Sequence, residues 1–297
     1  MTTALSLEDF MAAMGVIPSR PLTIKPYGFN RFHIAGDRSG TWNGWLKVNS
    51  NGRSISFGSW KTDDKFTYHL QVPAVPSYIR AQRSQQANDA EAHRLAATKA
   101  KALKEAKEIW GAAEPPFQHA YLPRKQISGV GARQFGNRLI VPVFNTRAQL
   151  LNLQDIDEYG NKRFHRGLSL KGGFLLLGPL PKPGASVLLC EGYATGATLF
   201  ENLGLPVAIA FSAGRLLEVG RIIRTLYSSS KLWVCADNDH TKPVNLGLTK
   251  ATSVARLLHG RLIVPPTIPG ITDFNDLFCL NGKAALLACV EAAPPAH

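Results

Sequence analysis

The sequence predicts an α/β protein: a C-terminal parallel sheet covered by helices on both faces, preceded by a basic α+β subdomain and a small β-rich N-terminal module. Three observations predict it. From Pro183 onward, short apolar runs (VLLC, VAIAF, KLWVCAD, RLIVP) alternate with amphipathic stretches (ATLFENLG, RLLEVGRIIRTLY, LGLTKATSVARLLHG). That is the pattern of strands buried on both faces and joined by crossover helices. Upstream, residues 113–182 carry a net charge of +6, nearly half of the +13 of all 297 residues. Before Pro76, aromatic residues crowd between clusters of turn-forming residues.

The elements follow in chain order. LSLEDFMAAMG (5–15) spaces its apolar residues as a helix, and Gly15 is its stop. From Pro21 to His69, short strands are punctuated by GDRSG, NSNG and KTDD. Phe29, Phe32, Trp42, Trp45, Phe57, Trp60, Phe66 and Tyr68 fall in this region, and Pro73 and Pro76 close a module spanning 1–76. Exposed tryptophans can stack nucleic-acid bases. In so small a module, at least two of Trp42, Trp45 and Trp60 are expected to be core. Residues 77–112 form a linker whose proline- and glycine-free stretch 78–110 predicts one helix of roughly 45 Å. Its KALKEAKE segment is expected to present a solvated face. The basic subdomain, 113–182, holds a short helical piece, the strands RLIVPVF and QLLNLQDI, and a strand around GGFLLLG. Residues 183–297 complete the chain with the parallel sheet.

Several function classes are excluded or disfavoured. Cys190, Cys235, Cys279 and Cys289 form no C-x-x-C pair, which argues against a disulfide framework and a cysteine zinc site. No run of 18 apolar residues and no signal-peptide pattern occurs, so a cytoplasmic protein with no membrane role is expected. No G-x-x-x-x-G-K-[ST] is present, which excludes a P-loop motor in this sequence. The basic excess points to a polyanion, nucleic acid before an acidic membrane surface.

Carboxylates end the strands of the C-terminal region. Glu191 directly follows VLLC, Asp237 and Asp239 follow KLWVC after one alanine, and Asp273 and Asp276 follow RLIVP through a proline loop. Ligands of such sheets sit at the carboxyl ends of the strands. Acids gathered there repel one another unless a cation intervenes, and oxygen-only ligands favour magnesium or manganese. Such an ion can polarise a phosphoryl group. Asp273 has a second reading, as the N-cap of the final helix.

CEGYATGATL, CADND and TDFNDL resemble, in order, the three signatures of the Toprim domain, over about 183–285. That domain is shared by bacterial primases, topoisomerases, some nucleases and a recombination-mediator family. The resemblance implies that Glu191 is the catalytic acid or base and that Asp237 and Asp239 are metal ligands. It leaves open which of Asp273, Asn275 and Asp276 touches metal. The upstream segment FGNRLIVPVFNTRAQLLNLQDIDEYGNKRFHRGLSLKGGFLLLG is similar to the one preceding the Toprim domain of bacterial and phage primases. This implies a basic track of Arg138, Lys162, Arg163 and Lys171 for template and incoming nucleotide. The N-terminal layout resembles the zinc ribbon of many primases, yet it has no cysteine. His33 and His69 alone cannot complete a four-ligand site, so no zinc is expected. The implied function is a DNA primase of phage or plasmid replication, a nucleotidyltransferase with catalytic Glu191, Asp237 and Asp239. It would make short RNA primers from nucleoside triphosphates on single-stranded DNA, using magnesium or manganese, with a replicative helicase in trans. The alternatives are a Toprim nuclease and a non-catalytic DNA-binding Toprim protein.

Overall fold

The computed structural model describes residues 5–25, 28–49, 52–62, 64–70, 77–116 and 118–294. The expected boundary at Pro73 and Pro76 lies outside them. The chain divides into two compact units, 1–97 and 98–297.

The first unit opens with α1 (Leu7–Ala13). Ser6 caps it, its hydroxyl accepting from the Asp9 N–H at 3.1 Å, and Gly15 turns the chain away at φ 74°. β1 (Asn30–Phe32), β2 (Gly44–Val48), β3 (Ser54–Ser59) and β4 (Asp64–His69) then form an antiparallel sheet in sequence order. Met11, Val16, Phe32, Leu46, Ile55 and Phe57 make its core. Each such buried side chain is worth roughly 1.5–3 kcal/mol. On β3 the alternating serines form a separate polar layer, where Ser54 and Ser56 meet the Asn49 amide at 2.8 and 3.0 Å. The expectation for the tryptophans is overturned. Trp45 is 7% exposed, but Trp42 and Trp60 are 57% and 54% exposed. Trp42 precedes β2 and Trp60 follows β3, where its backbone N–H donates to Asn43 O at 2.9 Å and its ring lies against Trp45 and Phe29 at the end of the sheet.

α2 (Ser77–Ala112) runs through the division between the units. Within the second unit it is amphipathic: Ala106, Ile109 and Trp110 join the core. Lys101–Glu105 and Lys104–Glu108 pair at 3.9 Å on the solvated side. α3 (Tyr121–Lys125) ends at Gln126, which has a left-handed φ of 50°. β5 (Arg133–Phe135), β6 (Arg138–Phe144), β7 (Leu150–Ile156) and β8 (Lys162–Phe164) form an antiparallel sheet in that order.

β9 (Leu175–Leu177) joins the other sheet of this unit, as an antiparallel edge. That sheet adds β10 (Ser186–Cys190), α4 (Tyr193–Leu203), β11 (Val207–Ile209), α5 (Leu216–Leu226), β12 (Lys231–Cys235), α6 (Leu246–Leu257), β13 (Arg261–Ile263) and α7 (Phe274–Ala292). Its order is β13-β12-β10-β11-β9, and all but the β9 edge pair in parallel. Alternate residues of each strand serve opposite faces. Leu188, Cys190, Val207 and Ile209 pack with α4 and α7, while Val187, Leu189, Ala208 and Val234 pack with α5 and α6. The expected α/β architecture, with helices on both faces, is therefore present. The chain leaves β10 toward β11 on one side and leaves β12 toward β13 on the other. The adjacent carboxyl ends of β10 and β12 thus form the topological switch point, where such sheets open a crevice for ligands. No helix among the described residues is long and apolar enough to cross a membrane.

Candidate active site

A cavity of about 170 Å³ lies at this switch point. Tyr121, Lys125, Gln154, Lys162, Glu191 and Asp237 line it, together with Gly192, Thr195, Phe211 and Asp273. Both halves of the second unit build it: α3, β7 and β8 bring one wall, and the carboxyl ends of β10 and β12 with the start of α7 bring the other.

The acids are placed by the strands they follow. Glu191 stands where β10 ends and takes the backbone N–H of Ala213. Asp237 follows β12, and its Oδ1 is buried with no hydrogen-bond partner. Between Asp237 and Asp239, Asn238 turns inward and locks the loop. Its amide donates to Pro265 O at 3.0 Å and accepts from Asn245 Nδ2 at 2.8 Å. Gly247 lets α6 begin against this loop, since a Cβ there would stand 2.8 Å from the Asp237 carbonyl. Asp273 caps α7, accepting from the Asp276 N–H at 2.8 Å, and still faces the cavity. The cap and the cavity position are compatible, because a carboxylate has lone pairs for both.

The electrostatics are unbalanced. Burial, the largest cause, pushes Asp237 up to about 8, and Asp273 and Glu191 nearby add to it. Burial likewise raises Glu191 and Asp273 above the usual carboxylate range. Lys162 is exposed as a residue, yet protein crowds its ammonium and lowers its pKa, against the pull of Asp273. Its Nζ reaches to 3.9 Å from where a Gly192 Cβ would stand. Three carboxylates thus face two ammoniums, with one carboxylate oxygen orphaned. That donor set fits a hard divalent cation. As they stand, no three or more His, Cys, Asp or Glu side chains among the described residues are placed to hold a metal ion together.

The other candidates stand apart from the cavity lining. Asp239 is paired with Lys242 at 2.6 Å, though its charge is felt by both Glu191 and Asp237. Asp276 accepts from Thr272 Oγ1 at 2.8 Å and meets Lys125 Nζ at 3.4 Å. Arg138 is held by Asp155 at 2.5 Å. Arg163 is exposed on β8 beside Lys162, and strand alternation allows only one of the two to face the cavity. Lys171 is exposed in the turn before β9.

Sequence reasoning missed Lys125, Tyr121 and Gln154. Lys125 left no spacing signal, because α3 is too short to show a period. Gln154 did leave one: a polar residue inside the apolar strand LLNLQDI. Asn275 proves to be a joint rather than a lining residue. Fully buried, it donates to Lys125 O at 2.7 Å and to Thr198 Oγ1 at 2.9 Å, fastening α3 to α7 and α4.

A larger cavity, about 720 Å³, lies in the first unit. Several of its polar groups have partners: Arg31 donates to Trp42 O, His33 meets Ser19 Oγ, and Asp37 pairs with Lys61. The 170 Å³ cavity is the better candidate, since Tyr121, Gln154 and Asp237 there each keep a buried polar atom without a partner.

Comparison with known proteins finds relatives of part of the chain. Residues 186–284 match the family model of the Toprim domain. Two Escherichia coli proteins, each named DNA primase TraC, are similar to this chain. One is 27% identical over 255 residues, covering 82% of this chain and 23% of its own length. The other is 28% identical over 158 residues, covering 50% of this chain and 11% of its own length. The chain therefore spans less than a quarter of either relative. A structure of the DnaG primase catalytic domain bound to single-stranded DNA is similar at a TM-score of 0.45 and 13% identity, covering 67% of this chain and 81% of that one.

Proposed function

We propose that the chain is a DNA primase, joining nucleoside triphosphates into short RNA primers on single-stranded DNA. One observation carries this reading: the Toprim acids and the ammoniums of the upstream subdomain line the same cavity. A Toprim nuclease has no need of a cationic wall from a second subdomain. A pure DNA binder has no need of an orphaned buried carboxylate.

Glu191, Asp237 and Asp273 would hold magnesium or manganese, with Asp239 at the rim once released from Lys242. When bound, the ion supplies charge stabilisation at the phosphoryl oxygens. Lys125 and Lys162 hold phosphates of the incoming triphosphate as point charges. Asp276 orients Lys125 and does not serve as a ligand. The primer's 3′-hydroxyl oxygen bonds to the α-phosphorus, and the bond to the bridging oxygen breaks, releasing pyrophosphate. Glu191, on the cavity wall at the end of β10, takes the hydroxyl proton. Arg163 and Lys171, outside the cavity, contact the template backbone. The protein would work in the cytoplasm in phage or plasmid replication, with a replicative helicase on another chain.

The test is incubation with unprimed single-stranded DNA, the four nucleoside triphosphates and magnesium. Short labelled oligonucleotides are expected. A shortened template without incorporation would replace the primase with the nuclease, and DNA retention without turnover would leave a binding protein.

A further inference from the structure

Two polar side chains of the cavity have no part in the chemistry above. Tyr121 is 2% exposed and Gln154 is 4% exposed. The Tyr121 hydroxyl and the Gln154 amide oxygen are both buried without a hydrogen-bond partner, although both residues line the cavity. Burying such groups unpaired is costly, and their pairing is the rule in folded proteins. They are held on rigid elements. Tyr121 shares a face of α3 with Lys125, four residues on. Gln154 lies on β7 opposite Phe164 of β8, on the face that also carries Lys162.

The chemistry of the pair narrows what it can bind. Phosphate is matched by Lys125 and Lys162, and a carbonyl oxygen would repel it. A phenol donates and an amide oxygen accepts, so a group that accepts and donates at once satisfies both: a hydroxyl, or the water that it displaces. Template-directed synthesis must admit four bases but has one kind of sugar. Fixed polar groups beside the reacting centre can therefore be matched to the sugar and not to a base edge. We propose that Tyr121 and Gln154 bind a sugar hydroxyl of the incoming nucleotide and so select ribonucleotides over 2′-deoxynucleotides. This rests on the nucleotidyl-transfer reading and extends it to the substrate's sugar. A site built to pair with a hydroxyl discriminates strongly against an analogue lacking it, because its own polar groups are then left unpaired.

The experiment compares wild type, Tyr121→Phe and Gln154→Leu. It measures kcat/KM for ATP and for dATP on one template, and the binding of each nucleotide to the protein without template. Wild type is expected to prefer ATP in both measurements. Each variant should cut that preference about tenfold, the worth of one hydrogen bond, by weakening ATP while leaving dATP within about twofold. Tyr121→Phe keeps the ring, so its packing stays intact. Equal losses for the two sugars would reduce the pair to a structural role and overturn the proposal, as would an unchanged ratio or a wild type indifferent to the sugar. If wild type makes no product at all, the primase reading fails by itself. The binding preference then decides the sugar proposal: its loss in the variants supports the pair, and its absence in wild type overturns it.

Discussion

Asp237 is the residue on which most of the site's electrostatics converge. Its folded-state pKa of about 8 lies above the ordinary carboxylate value, so the folded protein binds the extra proton between about pH 4 and pH 8. Stability without divalent metal should then be full below that window and fall as pH rises through it. Asp237→Asn removes Asp237's share of the dependence and leaves that of Glu191 and Asp273. It should be more stable than wild type at pH 8, by several kcal/mol, and near it at pH 4. Magnesium should replace the proton, so its affinity for wild type rises with pH and its binding releases protons, which calorimetry in two buffers can read. A flat melting profile for wild type would show that Asp237 is charged in the folded protein. Asn275 makes a second case at this scale. Asn275→Ala removes the amide donor to the Lys125 carbonyl, which keeps only the weaker Cys279 thiol at 3.4 Å, and to the Thr198 hydroxyl, and a loss of about 2 kcal/mol on denaturant unfolding is expected. Glu191, Asp237 and Asp273 were legible in the sequence because each follows a recognisable strand. Asn275 was not: its motif position suggested a ligand, and only the packing of α3 against α7 makes it a joint.

Elements decide which of two neighbouring residues acts. Lys162 and Arg163 are adjacent in sequence and equally basic, so the sequence could not separate them, but β8 turns Lys162 alone into the cavity. Lys162→Ala should raise the KM for nucleoside triphosphate about tenfold or more, the loss of a charge-assisted contact. Arg163→Ala should leave that KM within about twofold. It should instead flatten the salt dependence of single-stranded DNA binding by about 0.7 in log–log slope. Identical effects of the two variants would contradict the alternation. In the first unit, Gly58 of β3 meets the Asp64 carbonyl, which would stand 1.9 Å from an added Cβ, with the Trp45 ring at 2.9 Å. Gly58→Ala should cost about 1–3 kcal/mol, with amide protection lost in β1–β4 and kept in β10–β13. The strands themselves were legible from turn residues and apolar periodicity. The exposure of Trp42 and Trp60 was not, because it depends on how far the helix and core cover the end of the sheet.

At the scale of the molecule, one site is built by two stretches of chain drawn from the sequence as separate domains, although Lys162 of the first was already expected at the incoming nucleotide. The boundary drawn at 182 and 183 has strand β9 before it and that strand's partner β11 after it. Lys125, Gln154 and Lys162 likewise reach the acids from upstream. Long-range pairing of this kind leaves no local pattern, whereas the βα alternation of the C-terminal region does, which is why the sheet was predicted and the full cavity was not. On the proposed function, this shared cavity performs nucleotidyl transfer with Glu191 as the proton acceptor. The most direct measurement is incorporation of labelled ribonucleotides on unprimed single-stranded DNA by wild type and by Glu191→Gln, a variant that keeps the size of the side chain and loses its charge. We expect short products from wild type and a loss of about a hundredfold or more in rate for Glu191→Gln, with DNA binding retained. Equal synthesis by the two proteins would place the chemistry elsewhere.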